Sequence, residues 1–274
     1  MGMPSLKTFQ ISTSFRVISL ARPLWMAIVN ATPDSFSDGG RKNVAEYAIT
    51  LLRNGADILD IGGESTRPGA EPLDPKDEIS RIAPVIRGIH EICLKQNLPK
   101  PFLSIDTYHP QTAAFALEQG VEMINDISGG EDPEMIRLVK KSNAALCFMH
   151  KQGIPKTMQN APQYENVLEE VFEYLQQRKN ALLDAGIPQE KLIADPGIGF
   201  GKTFEQNWTL IENISRFHDL ELPILVGHSR KGFLQKIINQ NPEITRDDAT
   251  HQVSRFLIQQ NIQILRTHVK PLQK

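Results

Sequence analysis

The chain has 274 residues, 40% hydrophobic and 7% aromatic, with 30 basic and 32 acidic side chains and a formal net charge of -2. That near-balance gives no reason to expect nucleic acid or an anionic membrane as partner, and the length suits one large α/β domain or two small ones. Cys93 and Cys147 stand far apart without C-x-x-C spacing, which argues against a disulfide framework or a structural zinc site and for a reducing cytoplasm.

In chain order, the first apolar stretch is "FRVISLARPLWMAIV". Arg16, Arg22 and Pro23 divide it, no small-residue cleavage site follows, and it is too short to span a bilayer. Eight short runs, rich in aliphatic residues, then read as strands: 24–30 (LWMAIVN), 57–63 (DILDIGG), 101–107 (PFLSIDT), 122–128 (EMINDIS), 144–150 (AALCFMH), 191–197 (KLIADPG), 223–229 (PILVGHS) and 262–268 (IQILRTH). Between them lie segments of helical periodicity such as NVAEYAITLLRNGA and PQTAAFALEQG, several opening at Pro or Asn and closing at Gly. Strict βα alternation, with runs apolar on both faces, implies a parallel sheet covered by helices. Eight repeats predict a (β/α)8 TIM barrel in a single domain over 1–274, with its core at about 24–268. "VKPLQK" is too short for an eighth covering helix, so the last helix reads as truncated. The wall is expected to be open beside the first and last barrel strands, for a dimer partner or the N-terminal segment to cover.

A barrel of this kind builds its site from the carboxyl ends of its strands. Those ends carry Asn30; Gly62, Gly63 and Glu64; Asp106; Asn125 and Asp126; His150; Asp195; His228, Ser229, Arg230 and Lys231; Arg266 and His268. Each alone is an ordinary loop starter or cap, but a ring of polar termini on one face favours a site. Asp106, Asn125 and Asp195 suit a flat heterocycle with several N–H donors, since a carboxylate accepts two parallel hydrogen bonds. Lys231, Arg266 and His268 come from the last two strands, where barrels often hold phosphate. The expected site is acidic deep in the mouth and basic at one rim. "DPGIGFGKT" approaches a P-loop, but Pro196 occupies the place of the first glycine and lacks the N–H a phosphate cradle needs. The strand-end histidines His150, His228 and His268 allow a zinc hydrolase as a minority reading, which the absence of H-x-H after the first barrel strand disfavours.

The motifs NATPDSFSDGG, DIGGESTRPGA, SIDT, INDISG, MHKQGIPKTMQ, DPGIGFGK, GHSRKG and LRTH resemble, in order and spacing, those of the dihydropteroate synthases, over roughly residues 24–268. The resemblance implies condensation of a dihydropterin-6-ylmethyl diphosphate with p-aminobenzoate, Mg²⁺ as cofactor, a homodimer and sensitivity to sulfonamides. It implies Asp106, Asp195 and Lys231 as catalytic residues. Asp106, Asn125, Asp195, Lys231, Met149 and Phe200 would hold the pterin, and Thr66, Arg266 and His268 the diphosphate. Phe36, Asp38, Arg67, Pro68 and Gly232 would serve the p-aminobenzoate pocket and two mobile loops at about 31–42 and 64–75, with Asn30, and Asp38 beside it, as metal ligands. The alternatives are a pterin-binding paralogue without catalysis and a corrinoid-linked pterin methyltransferase of the same barrel group. The chain departs from the family pattern at Gly232, where many relatives carry Ser, at Lys151, where Met is frequent, and after LRTH, where a final helix is usual.

Overall fold

The computed structural model describes residues 9–13, 15–32, 41–65, 70–153 and 162–272. The described residues begin with two antiparallel three-residue strands, β1 (Gln10–Ser12) and β2 (Val17–Ser19). The barrel follows: β3 (Leu24–Asn30), α1 (Arg41–Arg53), β4 (Ile58–Gly62), α2 (Pro75–Lys95), β5 (Leu103–Asp106), α3 (Pro110–Glu118), β6 (Met123–Asp126), α4 (Pro133–Ser142), β7 (Ala145–Met149), α5 (Val167–Asp184), β8 (Leu192–Asp195), α6 (Phe204–Glu212), β9 (Leu225–Val226), α7 (Gln235–Gln240), α8 (Arg246–Gln259) and β10 (Ile264–Thr267). Helix starts carry chemical signatures: Asp74 and Asp132 cap α2 and α4 ahead of a first-turn proline, and Thr203 and Thr245 form capping boxes on α6 and α8.

Eight parallel strands run in the order β8-β7-β6-β5-β4-β3-β10-β9, and Ala194 of β8 bridges Ile224 next to β9, with Ala194 N–H donating to Pro223 O at 3.0 Å. The barrel is thus nearly closed. Side chains alternate along each strand, so one parity points inward and the other lies under the helices. The outward set (Trp25, Ala27, Val29, Leu59, Ile61, Leu103, Ile105, Ile124, Leu146, Phe148) joins the helix faces in the main core. The inward set begins with a layer of Leu24, Ile58, Met123, Ala145, Ile193, Leu225 and Ile264.

The wall is not open where the last helix was expected to be missing. β10 pairs with β3 over four register positions, from Ile264↔Leu24 to Thr267↔Ala27, and Trp25 Nε1 donates to Thr267 O. No helix follows β10 among the described residues; instead the tail buries Pro271 and brings the Lys270 ammonium to the α1–β4 turn at Gly55. Nor does the described N-terminal segment cover that flank. Ile11 of β1, fully buried, packs into the inward apolar layer and plugs the floor of the barrel. Arg16 anchors the plug by donating from Nε and Nη2 to the buried Glu122 carboxylate at 3.0 and 2.7 Å, joined by Thr13 Oγ1 at 2.8 Å. Among the described residues no helix is long and apolar enough to cross a membrane.

Candidate active site

Strand parity decides which polar residues face the mouth. Asp60, Asn125, Asp195 and Arg266 each stand two positions beyond a member of the inward apolar layer, at Ile58, Met123, Ile193 and Ile264, and Asp106 stands two beyond the buried Ser104. Register then brings them side by side, with Asp106 opposite Asn125 and Gly62 opposite Asp106.

The result is a polar floor laid on an apolar one. Arg266 donates from Nε to Asp60 Oδ2 at 2.6 Å and from Nη2 to Asp106 Oδ2 at 2.5 Å, while Asn125 Nδ2 donates to the same Asp60 oxygen at 3.1 Å. Asp195 Oδ1 accepts from Gly197 N–H at 2.7 Å. Lys231 Nζ donates to Ile198 O and lies 4.5 Å from the centre of the Phe200 ring. Ser229 Oγ meets His268 Nδ1 at 3.0 Å, and Met149 is the register partner of Asp195. The expected separation into an acidic interior and a basic rim is therefore replaced by interleaving, with the Arg266 guanidinium between two buried carboxylates.

Burial and crowding shift these groups. Desolvation, against the pull of Arg266 and with the repulsion of Asp60 and Glu78, raises Asp106 to about 7. Asp195 is also raised, chiefly by burial. Lys231 falls to about 8 because burial disfavours its charge more than Asp195 restores it. For Arg266 burial works downward, but Asp106 and Asp60 carry the net shift up.

Other strand-end residues have the opposite parity and serve the scaffold. Asp126 accepts from Ser128 N, Ser128 Oγ and Gly130 N, closing the turn after β6. His150 lies behind the mouth against Lys202, and Arg230 pairs with Asp247 of α8. His228, fully buried, meets Ser254 Oγ at 2.8 Å; since that hydroxyl donates to Thr250 O, it accepts from His228 Nε2–H. Burial holds His150 at about 2 and His228 at about 4, so both rings are neutral. A histidine lowered on folding contributes stability above its unfolded pKa of about 6.5, and that contribution is lost as pH falls toward the folded value. The stability advantage of wild type over His228→Asn, read from paired urea melts, is accordingly expected to shrink by up to about 1.4 kcal/mol per pH unit below pH 6.5. A constant difference from pH 7 to 5 would contradict a neutral buried ring.

Asn30, at the exposed carboxyl end of β3, lies opposite Gly62 and offers a hard carbonyl oxygen. Glu64 accepts from Tyr108 Oη at 2.7 Å and meets His109 Nε2 at 3.1 Å, next to Glu78, whose Oε2 accepts from Thr107. Glu64, Glu78 and His109 are close enough to consider as ion ligands, but Glu64 and one Glu78 oxygen are already hydrogen-bonded. Lys151 lies 5.7 Å from the Tyr108 ring centre, and burial lowers its pKa. Phe36, Asp38, Thr66, Arg67 and Pro68 lie outside the described residues, as do most of the first loop segment and the centre of the second. Two site residues escaped the sequence reading. Asp60 sits within the apolar run DILDIGG, where an acid at inward parity is the available signal, and Lys202 ends the glycine-rich DPGIGFGK without a signal of its own.

The pterin binding enzyme family model matches residues 26–268. The dihydropteroate synthase of Synechocystis is 43% identical over 220 residues, covering 78% of this chain and 74% of the relative. The chain belongs to the dihydropteroate synthase family. Among solved structures, the Burkholderia cenocepacia dihydropteroate synthase complexed with 7,8-dihydropteroate superposes with a TM-score of 0.83 at 36% identity, covering 97% of this chain and 92% of that one. The Yersinia pestis dihydropteroate synthase in a sulfonamide drug complex gives 0.84 at 33% identity, with 95% and 94% covered. The family that the comparisons show is that of the dihydropteroate synthases, not a zinc hydrolase. The strand-end histidines His150 and His228 are turned away from the mouth into hydrogen bonds of the scaffold.

Proposed function

We propose that this chain is a dihydropteroate synthase, joining a dihydropterin-6-ylmethyl diphosphate to p-aminobenzoate with release of diphosphate. The observation that carries the reading is the buried Asp60–Arg266–Asp106 bridge with Asn125, Asp195 and Lys231 around it, in a chain of this family. Asp106, Asn125 and Asp195 would meet the amino and ring N–H groups of the pterin. Met149, Phe200 and the Lys231 stem would line its faces, and Lys231 would also carry a hydrogen bond to it. Heterolysis of the C–O bond leaves its electron pair on diphosphate and positive charge on the pterin methylene. Buried carboxylates stabilise that charge in a site of low dielectric. The arylamine nitrogen then forms the new C–N bond and releases one proton. No strong base is needed, because an aromatic amine is already unprotonated at neutral pH.

Thr66, Arg266 and His268 remain the proposed diphosphate contacts, and Phe36, Arg67, Pro68 and Gly232 those of p-aminobenzoate. For Mg²⁺, Asn30 would supply an oxygen ligand of the kind the ion prefers, with Asp38 as second candidate. When bound, the ion would offset negative charge on the leaving diphosphate. A cytoplasmic homodimer and sulfonamide inhibition belong to the same proposal. Purified protein given both substrates and Mg²⁺ should form dihydropteroate; a folded sample without turnover overturns the reading. The corrinoid-linked and non-catalytic alternatives predict, respectively, methyl transfer with a corrinoid partner and pterin binding without product.

Gly232 offers a direct test of the p-aminobenzoate side. A Cβ built there meets no atom within 4 Å, so Gly232→Ser fits without strain. One added hydroxyl toward a carboxylate contributes about 0.5–1.5 kcal/mol, so the KM for p-aminobenzoate is expected to drop about 2- to 10-fold with the pterin KM unchanged. Steady-state kinetics with each substrate varied would decide it.

A further inference from the structure

Between β8 and α6 the chain makes a tight turn, 196–202, in which Gly197, Gly199 and Gly201 all have positive φ (68°, 86° and 58°). The turn is pressed against the segment after β7: a Cβ at Gly197 would lie 1.8 Å from His150 O, and one at Gly201 2.3 Å from Gln152 O. Its last residue, Lys202, is only 2% exposed. Burial lowers its pKa to about 7, but three acceptors, Gly197 O, Phe200 O and His150 Nδ1, each at 2.9 Å, match the three N–H groups of the protonated amine and hold it as an ammonium. Because Lys202 donates to Nδ1, that nitrogen carries no proton. Asn207 and Tyr164 complete the outer side by holding Gly199 N–H and Gly201 O at 2.6 and 2.8 Å.

Burying an ammonium is costly, and an aliphatic side chain of similar length would usually serve a scaffold as well or better. What the charge secures is the position of three groups that face the mouth. Gly197 N–H donates to Asp195, Ile198 O accepts from Lys231, and the Phe200 ring lies under the same ammonium of Lys231. We infer that Lys202 is a positioning residue for the pterin subsite, setting through one turn the orientation of Asp195, Phe200 and Lys231 without touching substrate itself.

This inference rests on the proposed function, and the experiment separates the two. Lys202→Met is expected to fold and to melt within about 5 °C of wild type, because the lost hydrogen bonds are offset by relief of the buried charge. Its affinity for pteroic acid, measured by fluorescence quenching, should fall about 10- to 100-fold, with a matching rise in the KM of the pterin diphosphate. The KM for p-aminobenzoate should change less than about threefold. Wild-type pterin affinity in folded Lys202→Met, or equal losses for both substrates, overturns the inference; absence of pterin binding and turnover in wild type overturns the functional reading instead. Should Lys202→Met not fold, His150→Leu removes one of the three acceptors and must show the same selective loss of pterin affinity. Unchanged affinity in that variant overturns the inference equally.

Discussion

Replacing Arg266 with methionine is expected to lower the free energy of unfolding at pH 8 by about 3–5 kcal/mol, the range for removing one partner of a buried ion pair. The guanidinium is held by Asp60 at 2.6 Å and Asp106 at 2.5 Å, and the Asp60 side chain is completely buried. Methionine fills much of the volume but leaves two neighbouring carboxylates without their cation. The deficit should be smaller at pH 5.5, because Asp106, already raised to about 7 with the arginine present, can then take up a proton. Urea melts of both proteins at the two pH values check the size and the pH trend. A second substitution, Asp60→Asn, should return part of the loss, since it removes one of the unpaired charges. A deficit below about 1 kcal/mol at pH 8 would mean that the bridge contributes no more than a surface pair.

Asp195→Asn is expected to act on chemistry and leave the fold alone. The amide keeps an oxygen to accept from Gly197 N–H, so the turn after β8 retains its first bond. What is lost is a negative charge beside the pterin and an acceptor for its N–H groups. Loss of such electrostatic support costs about 2–4 kcal/mol in transition-state energy, or roughly 30- to 1000-fold in kcat/KM. Kinetics and a thermal melt on the same preparation are the check. A collapsed melting temperature would make Asp195 a scaffold residue, and an undiminished kcat/KM would remove it from the reaction.

The barrel and its ring of polar strand ends were legible because alternation and run length report burial directly. Seven of the eight expected runs contain strands of four to seven residues whose ends lie within two residues of the expected bounds, whereas 223–229 forms only the two-residue β9, its Pro223 and Gly227 marking the limits. Parity within the ring separates the site from its supports: Asn125 and Asp195 face the mouth, whereas Asp126 and His150 face the turns behind it. The floor plug was not legible, since three-residue strands such as β1 are too short to show a period, and the partner of Arg16, Glu122, is distant in sequence. Lys202 lacked any sequence signal, as a lysine in a glycine-rich turn reads as solvated.

Closing the wall through β3 and β10 has a consequence for how the molecule is made. Leu24 must pair with Ile264, so the first barrel strand to leave the ribosome waits for the last before its edge is satisfied. Contacts so far apart in sequence form slowly, and an unpaired strand edge invites association with other chains meanwhile. The floor layer that receives Ile11 includes Leu225 and Ile264, so the plug too can seat fully only after synthesis has reached the end of the barrel. Nascent chains stalled before β10 should therefore hold β3 accessible to chaperones, and release of the final strands should bury both ends of the barrel in one cooperative step.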